Sequence, residues 1–234
     1  MPIAFTELDR RPTPMGDISL RRRRELTLDV DVFEVKLGDE FLMSSLFTVA
    51  ERALATLGLG AVEGAQLDVV VGGLGLGYTA RAVLADPRVR SVHVVDALEA
   101  VIDWHRQLLL PLSDELTADG RCHLVHGDFF AMVASAGPLV GREHLDAILV
   151  DIDHTPRHVL HRTHTEFYTR AGLKGLAARL RIGGVFGLWS DDPPDDDFMA
   201  ILADVFPHHE AHVVAFANPY TSAQSANTVY LATT

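Results

Sequence analysis

The chain has a single cysteine, no long apolar run and no excess of basic residues. Cys122 alone excludes an internal disulfide and a metal site built on thiolates, and a reducing cytoplasm is the simplest setting for such a chain. Its uncharged apolar runs are far shorter than the roughly 20 residues that a membrane span needs. The charged opening MPIAFTELDRRPTPMG does not resemble a secretory signal. We therefore expect a cytoplasmic protein without a membrane partner.

Basic residues are outnumbered by acidic ones, 20 against 32, which gives a formal net charge of −12. Binding to a phosphate backbone needs a basic surface, so this balance argues against a general nucleic-acid binder. The basic run RRRR at 21–24 stands beside the acidic LTLDVDVFE and indicates an exposed strand or loop face. The negative charge favours the approach of a cationic substrate.

The residues that are present alternate in two regular ways. Residues 16–46 alternate charged and apolar side chains, which predicts a small antiparallel β unit, and LFTVAERALATL at 46–57 predicts a helix. Apolar runs then alternate with helical stretches, a pattern typical of a parallel sheet covered on both faces. These runs lie at 67–71, 92–95, 123–125, 147–150 and 185–189.

The C-terminal segment HEAHVVAFANPYTSAQSANTVYLATT has two strand-like runs and predicts an antiparallel hairpin that closes the sheet. Together with the Gly-x-Gly-x-Gly turn at 73–77, this hairpin predicts an α/β fold with the Rossmann-like sheet of class I methyltransferases, preceded by a small N-terminal β unit. The expected division is 1–60 for the β unit with its linking helix and 61–234 for a nucleoside-binding transferase domain. A homodimer is compatible with this organisation.

The stretch LDVVVGGLGLGYTARAVL at 67–84 runs from an apolar strand through Gly73, Gly75 and Gly77 into a helix. Backbone N–H groups and the helix dipole at such a turn face a polar ligand. A phosphate, a nucleoside or an amino-acid carboxylate would fit. The spacing Gly-x-Gly-x-Gly lacks the sixth-position glycine of the dinucleotide pattern Gly-x-Gly-x-x-Gly, which weighs against a nicotinamide cofactor.

Ligands of open α/β sheets bind at the carboxyl ends of the strands, where this chain places acids. Asp96 closes SVHVVD at a spacing from the glycines that lets a carboxylate accept hydrogen bonds from both ribose hydroxyls; the alternative is an N-cap for the next helix. Asp128 in HLVHGDFF is placed to accept from an adenine amino group while Phe129 covers the ring. The alternative for Asp128 is a turn residue before a helix.

A fourth strand end, in LDAILVDIDHTP, carries Asp151 and Asp153. Alternation along an extended chain would put both carboxylates on one side, with Asp153 farther out. With His154, His158 and His161 on one helical face, Asp151 would make a plausible Zn²⁺ or Fe²⁺ ligand set. Histidines are scattered through the chain, and an exposed helix near an acidic cleft explains these three as well, so we expect no metal.

Several stretches together resemble the spermidine synthase family, the polyamine aminopropyltransferases. They are VVVGGLGLG, VVDALEAVI, HGDFF, LDAILVDIDHTP and EFYTRAGLKGLAARLRIGGVFGLW, and the N-terminal β unit leading to FTVAERALATL is also similar to that family. The resemblance covers nearly the whole chain. Some of these motifs are shared with ordinary class I methyltransferases.

The resemblance implies a nucleoside sulfonium co-substrate, either S-adenosylmethionine or its decarboxylated form, and a cationic amine acceptor. It implies that the three glycines contact the nucleoside, Asp96 the ribose and Asp128 the adenine. It also implies that Asp151 accepts the proton of the attacking amine. Two carboxylates this close together would share a site for a cation, which makes Asp153 the candidate for binding that amine. A carboxylate beside an alkylammonium can both bind the cation and take its proton.

Two features depart from the family pattern. The family carries a second acid three residues after the first, which helps to recognise the propylamine end of the decarboxylated donor, and here that position is His154. The segment RHVLHRTHTEFY replaces the family's Gly-Pro gate loop. Methyl transfer to a small molecule, and a homologue that binds the nucleoside without catalysis, therefore stay open.

The acidic stretch SDDPPDDD at 190–197 follows the fifth strand of the expected sheet, at the edge that carries the expected site. Pro193 and Pro194 prevent regular structure there, so a solvated loop is one interpretation. The other is an acidic rim that attracts polyamines.

Overall fold

A computed structural model describes residues 5–221 and 223–234 of the protein. The chain begins with a four-stranded antiparallel meander in the order β1-β2-β3-β4. Gly16, the first residue of β2, and Gly38, in the turn after β3, take positive φ angles (121° and 58°), which suits residues without a Cβ. The strands are β1 (Phe5–Thr13), β2 (Gly16–Glu25), β3 (Val30–Leu37) and β4 (Glu40–Ser44).

The arginine run lies in β2 and is paired within this small sheet. The Arg23 guanidinium bonds to the carboxylates of Glu25 and Glu34 at 2.8 and 2.7 Å, and Arg24 pairs with Asp29 and Asp31. These contacts neutralise much of the run inside one sheet. They agree with the interpretation of a strand face beside acidic residues.

The rest of the chain forms a seven-stranded sheet in the order β10-β11-β9-β8-β5-β6-β7. The five neighbouring strands β9, β8, β5, β6 and β7 are parallel to one another. Strand β11 is antiparallel to both β9 and β10. This confirms the predicted parallel sheet with an antiparallel C-terminal hairpin. The strands are β5 (Leu67–Gly72), β6 (Val89–Asp96), β7 (Cys122–His126), β8 (Leu145–Val150), β9 (Leu180–Ser190), β10 (His208–Asn218) and β11 (Ala223–Thr233).

Helices cover both faces of the large sheet because its central strands are apolar on both sides. One face packs around Leu54 and Trp104, and the other around Phe129, Leu173 and Phe198. No described helix is long and apolar enough to cross a membrane. The helices are α1 (Val49–Gly60), α2 (Tyr78–Leu84), α3 (Glu99–Arg106), α4 (Ser113–Ala118), α5 (Phe129–Ala134), α6 (Arg170–Ala177), α7 (Asp196–Ala203) and a 3-10 helix (Arg162–Tyr168).

The small sheet is fastened to the large unit by buried and polar contacts. Ile18 and Leu20 of β2 belong to the same buried cluster as Leu54 of α1. The Trp104 indole N–H of α3 donates to the Asp9 carboxylate of β1 at 2.6 Å. Helix α1 packs on β8, β9 and β11. The division at residue 60 stays a proposal, and the first four residues of the 1–60 unit lie outside the described part of the chain.

Candidate active site

The glycine turn joins β5 to α2 at the carboxyl edge of the sheet. Gly73, Gly75 and Gly77 have φ angles of +96°, +48° and +91°, so all three occupy backbone conformations that L side chains rarely adopt. Gly77 is the N-cap residue of α2. The turn therefore needs its glycines for conformation before any ligand is considered.

His105 contacts the backbone of this turn, and the sequence did not indicate that contact. Its imidazole is fully buried, and Nε2 lies 2.9 Å from the carbonyl oxygen of Gly75. Burial lowers the pKa of His105, so the ring is neutral, and its Nε2–H donates to that carbonyl. Nδ1 then accepts from the Ser113 hydroxyl at 3.3 Å. Nothing distinguishes His105 in the sequence from the eleven other histidines.

Asp96 holds the turn from the end of β6. Its carboxylate accepts the backbone N–H groups of Leu74 at 3.0 Å, Gly75 at 3.4 Å and Leu98 at 2.8 Å. Burial raises the pKa of Asp96, and these hydrogen bonds oppose that shift. Helix α3 begins at Glu99 with Leu98 as its N-cap residue, so Asp96 is not its cap. Asp96 also lines a cavity at this edge, and its contact with a ribose stays a prediction.

Asp128 and Phe129 start helix α5. The Asp128 carboxylate caps the helix by accepting the N–H of Ala131 at 3.0 Å, and the same residue lines the cavity beside Asp96. The Phe129 ring is 2% exposed and belongs to the core cluster under Gly72. The first turn of α5 directs this ring toward the sheet, and Phe129 also lines the same cavity as Asp96 and Asp128, so its cover of an adenine stays a prediction. The adenine contact of Asp128 stays a prediction.

Two cavities meet at the carboxyl edge of the sheet. The first cavity, of about 380 Å³, lies between the glycine turn, the ends of β6 and β7 and the segment 160–164. The second cavity, of about 500 Å³, lies between β4, the start of α1, the glycine turn and the C-terminal hairpin. A larger cavity of about 900 Å³ between α5 and α6 contains neither the glycine turn nor Asp151. The residues common to the first and second cavities are Leu42, Met43, Gly75, Asp151 and Ile152.

Asp151 therefore stands where the two cavities join. It directly follows β8, and its backbone N–H donates to the carbonyl of Gly72 at 2.8 Å, which fixes its position beside the turn. The Thr79 hydroxyl donates to Asp151 Oδ2 at 2.7 Å. Burial raises the pKa of Asp151 to about 6, so this carboxyl group titrates close to neutral pH.

Glu51, in the first turn of α1, is a second acid of the second cavity, and no sequence motif marks it. Burial, followed by the charge of Asp151, raises the pKa of Glu51 to about 8. The charge of Arg52 opposes the shift of Glu51 without cancelling it. A bound ammonium group would supply a further positive charge.

Replacing Glu51 with glutamine is expected to stabilise the protein at alkaline pH. A folded-state pKa above the unfolded value makes the wild type lose stability as the pH rises from about 4.5 through about 8. Glu51→Gln removes that loss, so its melting temperature should exceed that of the wild type by several degrees at pH 9 and by little at pH 4.5, because about 1 kcal/mol shifts the melting temperature of a chain of this size by roughly 2–4 °C. Thermal unfolding at the two pH values measures it.

The matched control is Glu99→Gln, a change of the exposed glutamate in the first turn of α3. This variant should leave the difference between the melting temperatures at pH 4.5 and pH 9 the same as in the wild type. An equal melting shift for Glu51→Gln at both pH values would contradict the assignment of a raised pKa.

Asp153 does not share the side of Asp151. Its side chain is completely buried and accepts three hydrogen bonds, from the Leu160 N–H at 2.7 Å, His164 Nδ1 at 2.8 Å and the Tyr168 hydroxyl at 2.9 Å. It lines neither cavity among the described residues. Strand β8 ends at Val150, so the alternation of an extended chain does not continue to this position. This corrects the expectation that Asp153 faces the amine acceptor.

The segment that follows is irregular, and its histidines do not share a helical face. His154 Nε2 lies 3.0 Å and His158 Nε2 3.8 Å from one carboxylate oxygen of Glu40 in β4, while His161 turns to the Thr163 hydroxyl. Within residues 5–221 and 223–234, no group of three or more His, Cys, Asp or Glu side chains is arranged to hold a metal ion. The two histidines instead join the loop to the small sheet.

The acidic stretch after β9 is largely engaged in structure. Asp195 caps α7 by accepting the N–H groups of Asp197 and Phe198, and it pairs with Arg157, which lowers the pKa of Asp195 to about 2. Asp191 is the member of the stretch that lines the second cavity. Its carboxylate accepts from the Asn227 amide at 2.7 Å. A rim that attracts polyamines stays a prediction, with Asp191 as the residue nearest the cavity.

The charged side chains that line the two cavities are acidic. Among the described residues of both linings there is no lysine or arginine. The apolar walls include Trp189 and Phe47 in the second cavity. An arrangement of this kind suits a ligand with positive charge and an apolar chain. The acidic members are Glu51, Asp96, Asp128, Asp151 and Asp191.

Comparison with known proteins gives one family and one fold. The model of the spermine/spermidine synthase domain matches residues 48–199. A spermidine synthase solved in complex with the transition state analogue AdoDATO has 17% identity and a TM-score of 0.75, over 97% of this chain and 73% of that one. The spermidine synthase from Thermotoga maritima has 18% identity and a TM-score of 0.71, over 97% and 72%. No curated protein sequence matches significantly.

Proposed function

Because this chain belongs to the spermine/spermidine synthase family of transferases, we propose that it transfers an aminopropyl group from decarboxylated S-adenosylmethionine to a cationic amine. The observation that carries this proposal is the pair of cavities that meet at Asp151 and are lined by acids without lysine or arginine among the described residues. The nucleoside would occupy the first cavity and the amine the second.

The charge of the cavities favours the decarboxylated donor over S-adenosylmethionine. The carboxylate of S-adenosylmethionine would approach Asp151 with no cationic side chain in either described lining to offset the repulsion. The backbone N–H groups of Leu74 and Gly75 are already bonded to Asp96 and would not serve that carboxylate. A propylammonium group is instead attracted to Asp151, and it would favour the ionised form of Glu51.

The glycine turn and two acids are proposed to hold the nucleoside. Asp96 ends β6 beside the turn. Asp128 lies two residues after β7 and has one carboxylate oxygen bonded at the α5 cap. The other oxygen of Asp128 stays available to an adenine amino group. Both residues line the first cavity with Gly73 and Gly75, which supports the assignments to ribose and adenine.

Asp151 is proposed as the proton acceptor. The amine nitrogen attacks the propyl carbon next to sulfur, the carbon–sulfur bond breaks, and its electron pair neutralises the sulfonium to give methylthioadenosine. The proton lost by the amine passes to Asp151, whose Oδ2 is held by Thr79. A carboxyl group with a pKa of about 6 is largely ionised at pH 7.5 and can accept it. The sulfonium supplies the leaving group.

Calorimetric titration with three nucleosides tests the donor. We expect decarboxylated S-adenosylmethionine and methylthioadenosine to bind, and S-adenosylmethionine to bind at least tenfold more weakly. The decarboxylated donor incubated with a series of alkyl diamines should yield methylthioadenosine. Preference for S-adenosylmethionine would overturn the proposal in favour of methyl transfer. Nucleoside binding without product from any amine would leave a homologue that does not catalyse, and no binding would refute the donor assignment.

A further inference from the structure

A buried network behind the first cavity is not used by the proposed reaction. The Asp153 carboxylate is enclosed and accepts from His164 and Tyr168. Because the carboxylate oxygen can only accept, the proton of this contact is on Nδ1 of His164. This contact leaves Nε2 as the other ring nitrogen, the atom that carries the lone pair when a histidine has its single proton on Nδ1.

His164 is also a residue of the first cavity. The residue lines that cavity, and Nε2 has no bond to any residue in the described ranges 5–221 and 223–234. The ring packs against Phe130 with centroids 4.1 Å apart. Phe130 follows Asp128 closely in the chain, so His164 belongs to the end of the cavity where the adenine is proposed to lie.

We propose that His164, oriented by Asp153, accepts a hydrogen bond from the exocyclic amino group of the adenine and thereby selects a 6-aminopurine nucleoside over a 6-oxopurine one. This inference rests on the proposed function, since it places a nucleoside in the first cavity. An amino group carries two hydrogens, so it can donate to the free oxygen of Asp128 and to Nε2 together. A 6-oxo group would instead set its lone pairs against both acceptors.

In this arrangement Asp153 is a positioning residue that acts through His164. Its three hydrogen bonds also tie the loop residue Leu160, another member of the cavity wall, to the carboxylate. Asp153 lies one position before His154, the place where the family pattern has its second acid. The inference gives Asp153 a role in selecting the donor nucleoside. A carboxylate that fixes the tautomer of a histidine determines which ring nitrogen faces the ligand.

The test compares methylthioadenosine with its 6-oxo counterpart, methylthioinosine, by calorimetric titration. His164→Phe keeps an aromatic ring against Phe130 and removes the acceptor. We therefore expect the preference for methylthioadenosine over methylthioinosine, expressed as the ratio of their affinities, to fall about tenfold. Tyr168→Phe is the matched control, because it also removes one hydrogen bond to Asp153 but leaves Nε2 in place. Its ratio should equal that of the wild type even where its melting temperature is lowered.

A ratio unchanged in His164→Phe, with both nucleosides weakened alike, would reduce His164 to a wall residue and overturn the inference while the donor assignment stands. If the wild type binds neither nucleoside, the donor assignment and the inference both fail. Long-range nitrogen–proton NMR spectra of the wild type need no variant. A proton on Nε2 of His164, or an Nε2 resonance that does not move when methylthioadenosine is added, would also overturn the inference.

Discussion

Asp151→Asn is expected to lower turnover by roughly 10²–10⁴-fold, the range typical for loss of a general base, and to leave the affinity for methylthioadenosine nearly unchanged. Asparagine has almost the same shape and can still accept from Thr79, so the turn and both cavities should persist. It cannot take the proton of the attacking amine. Steady-state rates with the decarboxylated donor, together with calorimetric titration of methylthioadenosine, measure the two effects separately.

If the Asp151 side chain only capped a helix or held the strand end, Asp151→Asn would lower stability and leave turnover unchanged. Asp151 is already fixed by its backbone bond to Gly72, which the substitution retains. Full activity with a lowered melting temperature would therefore show that the side chain is structural. Asp153→Asn is the comparison within the same segment. Asp153 lines neither cavity among the described residues and contacts His164, so we expect this variant to change the affinity for methylthioadenosine and not the proton-transfer step.

The pH dependence of the rate gives an independent check on the same group. With the pKa of Asp151 raised to about 6 by burial, the rate should fall as the pH drops through about 6, since the protonated acid cannot accept a proton. The hydrogen bond from Thr79 lowers that pKa. Thr79→Val should therefore move the acidic limb of the profile to higher pH.

The fold was predictable because its signals are local. Each central strand is a short apolar run that is followed within two residues by a glycine or an acid. The alternation of these runs with helices is typical of a parallel sheet. The glycine turn was equally accessible, since three glycines at alternate positions report backbone conformations that other residues avoid. The positions of Gly73, Asp96, Asp128 and Asp151 at one edge then follow from the parallel sheet.

The contacts that complete the site were not predictable, because they join distant parts of the chain. Glu51 reaches the second cavity only because α1 packs over β8 and β9. His105 supports the turn only through the way α3 lies beneath it. Asp153 illustrates a local error: the period of a strand was extended three residues beyond Val150, where the chain has already left the sheet.

Gly73→Ala is expected to abolish binding of methylthioadenosine, with at least a hundredfold loss of affinity, and to lower the melting temperature markedly. A Cβ at this position would lie 2.0 Å from the carbonyl oxygen of Asp151 and 2.8 Å from its carbon. These are backbone atoms of the neighbouring strand end, so they cannot move without displacing Asp151. The φ angle of +96° adds strain for any L side chain.

Gly75→Ala is the matched control, because the atom that its Cβ would meet is the flexible end of Met43, with Sδ at 2.7 Å. Its φ angle of +48° lies close to the left-handed region that non-glycine residues occupy at a cost of about 1–2 kcal/mol. We therefore expect Gly75→Ala to fold and to bind methylthioadenosine within about tenfold of the wild type. The bulkier Gly75→Val would displace Met43, which lines both cavities, and abolish binding. If Gly73→Ala bound methylthioadenosine within threefold of the wild type, the nucleoside site would not depend on the close packing of Gly73 against the Asp151 backbone.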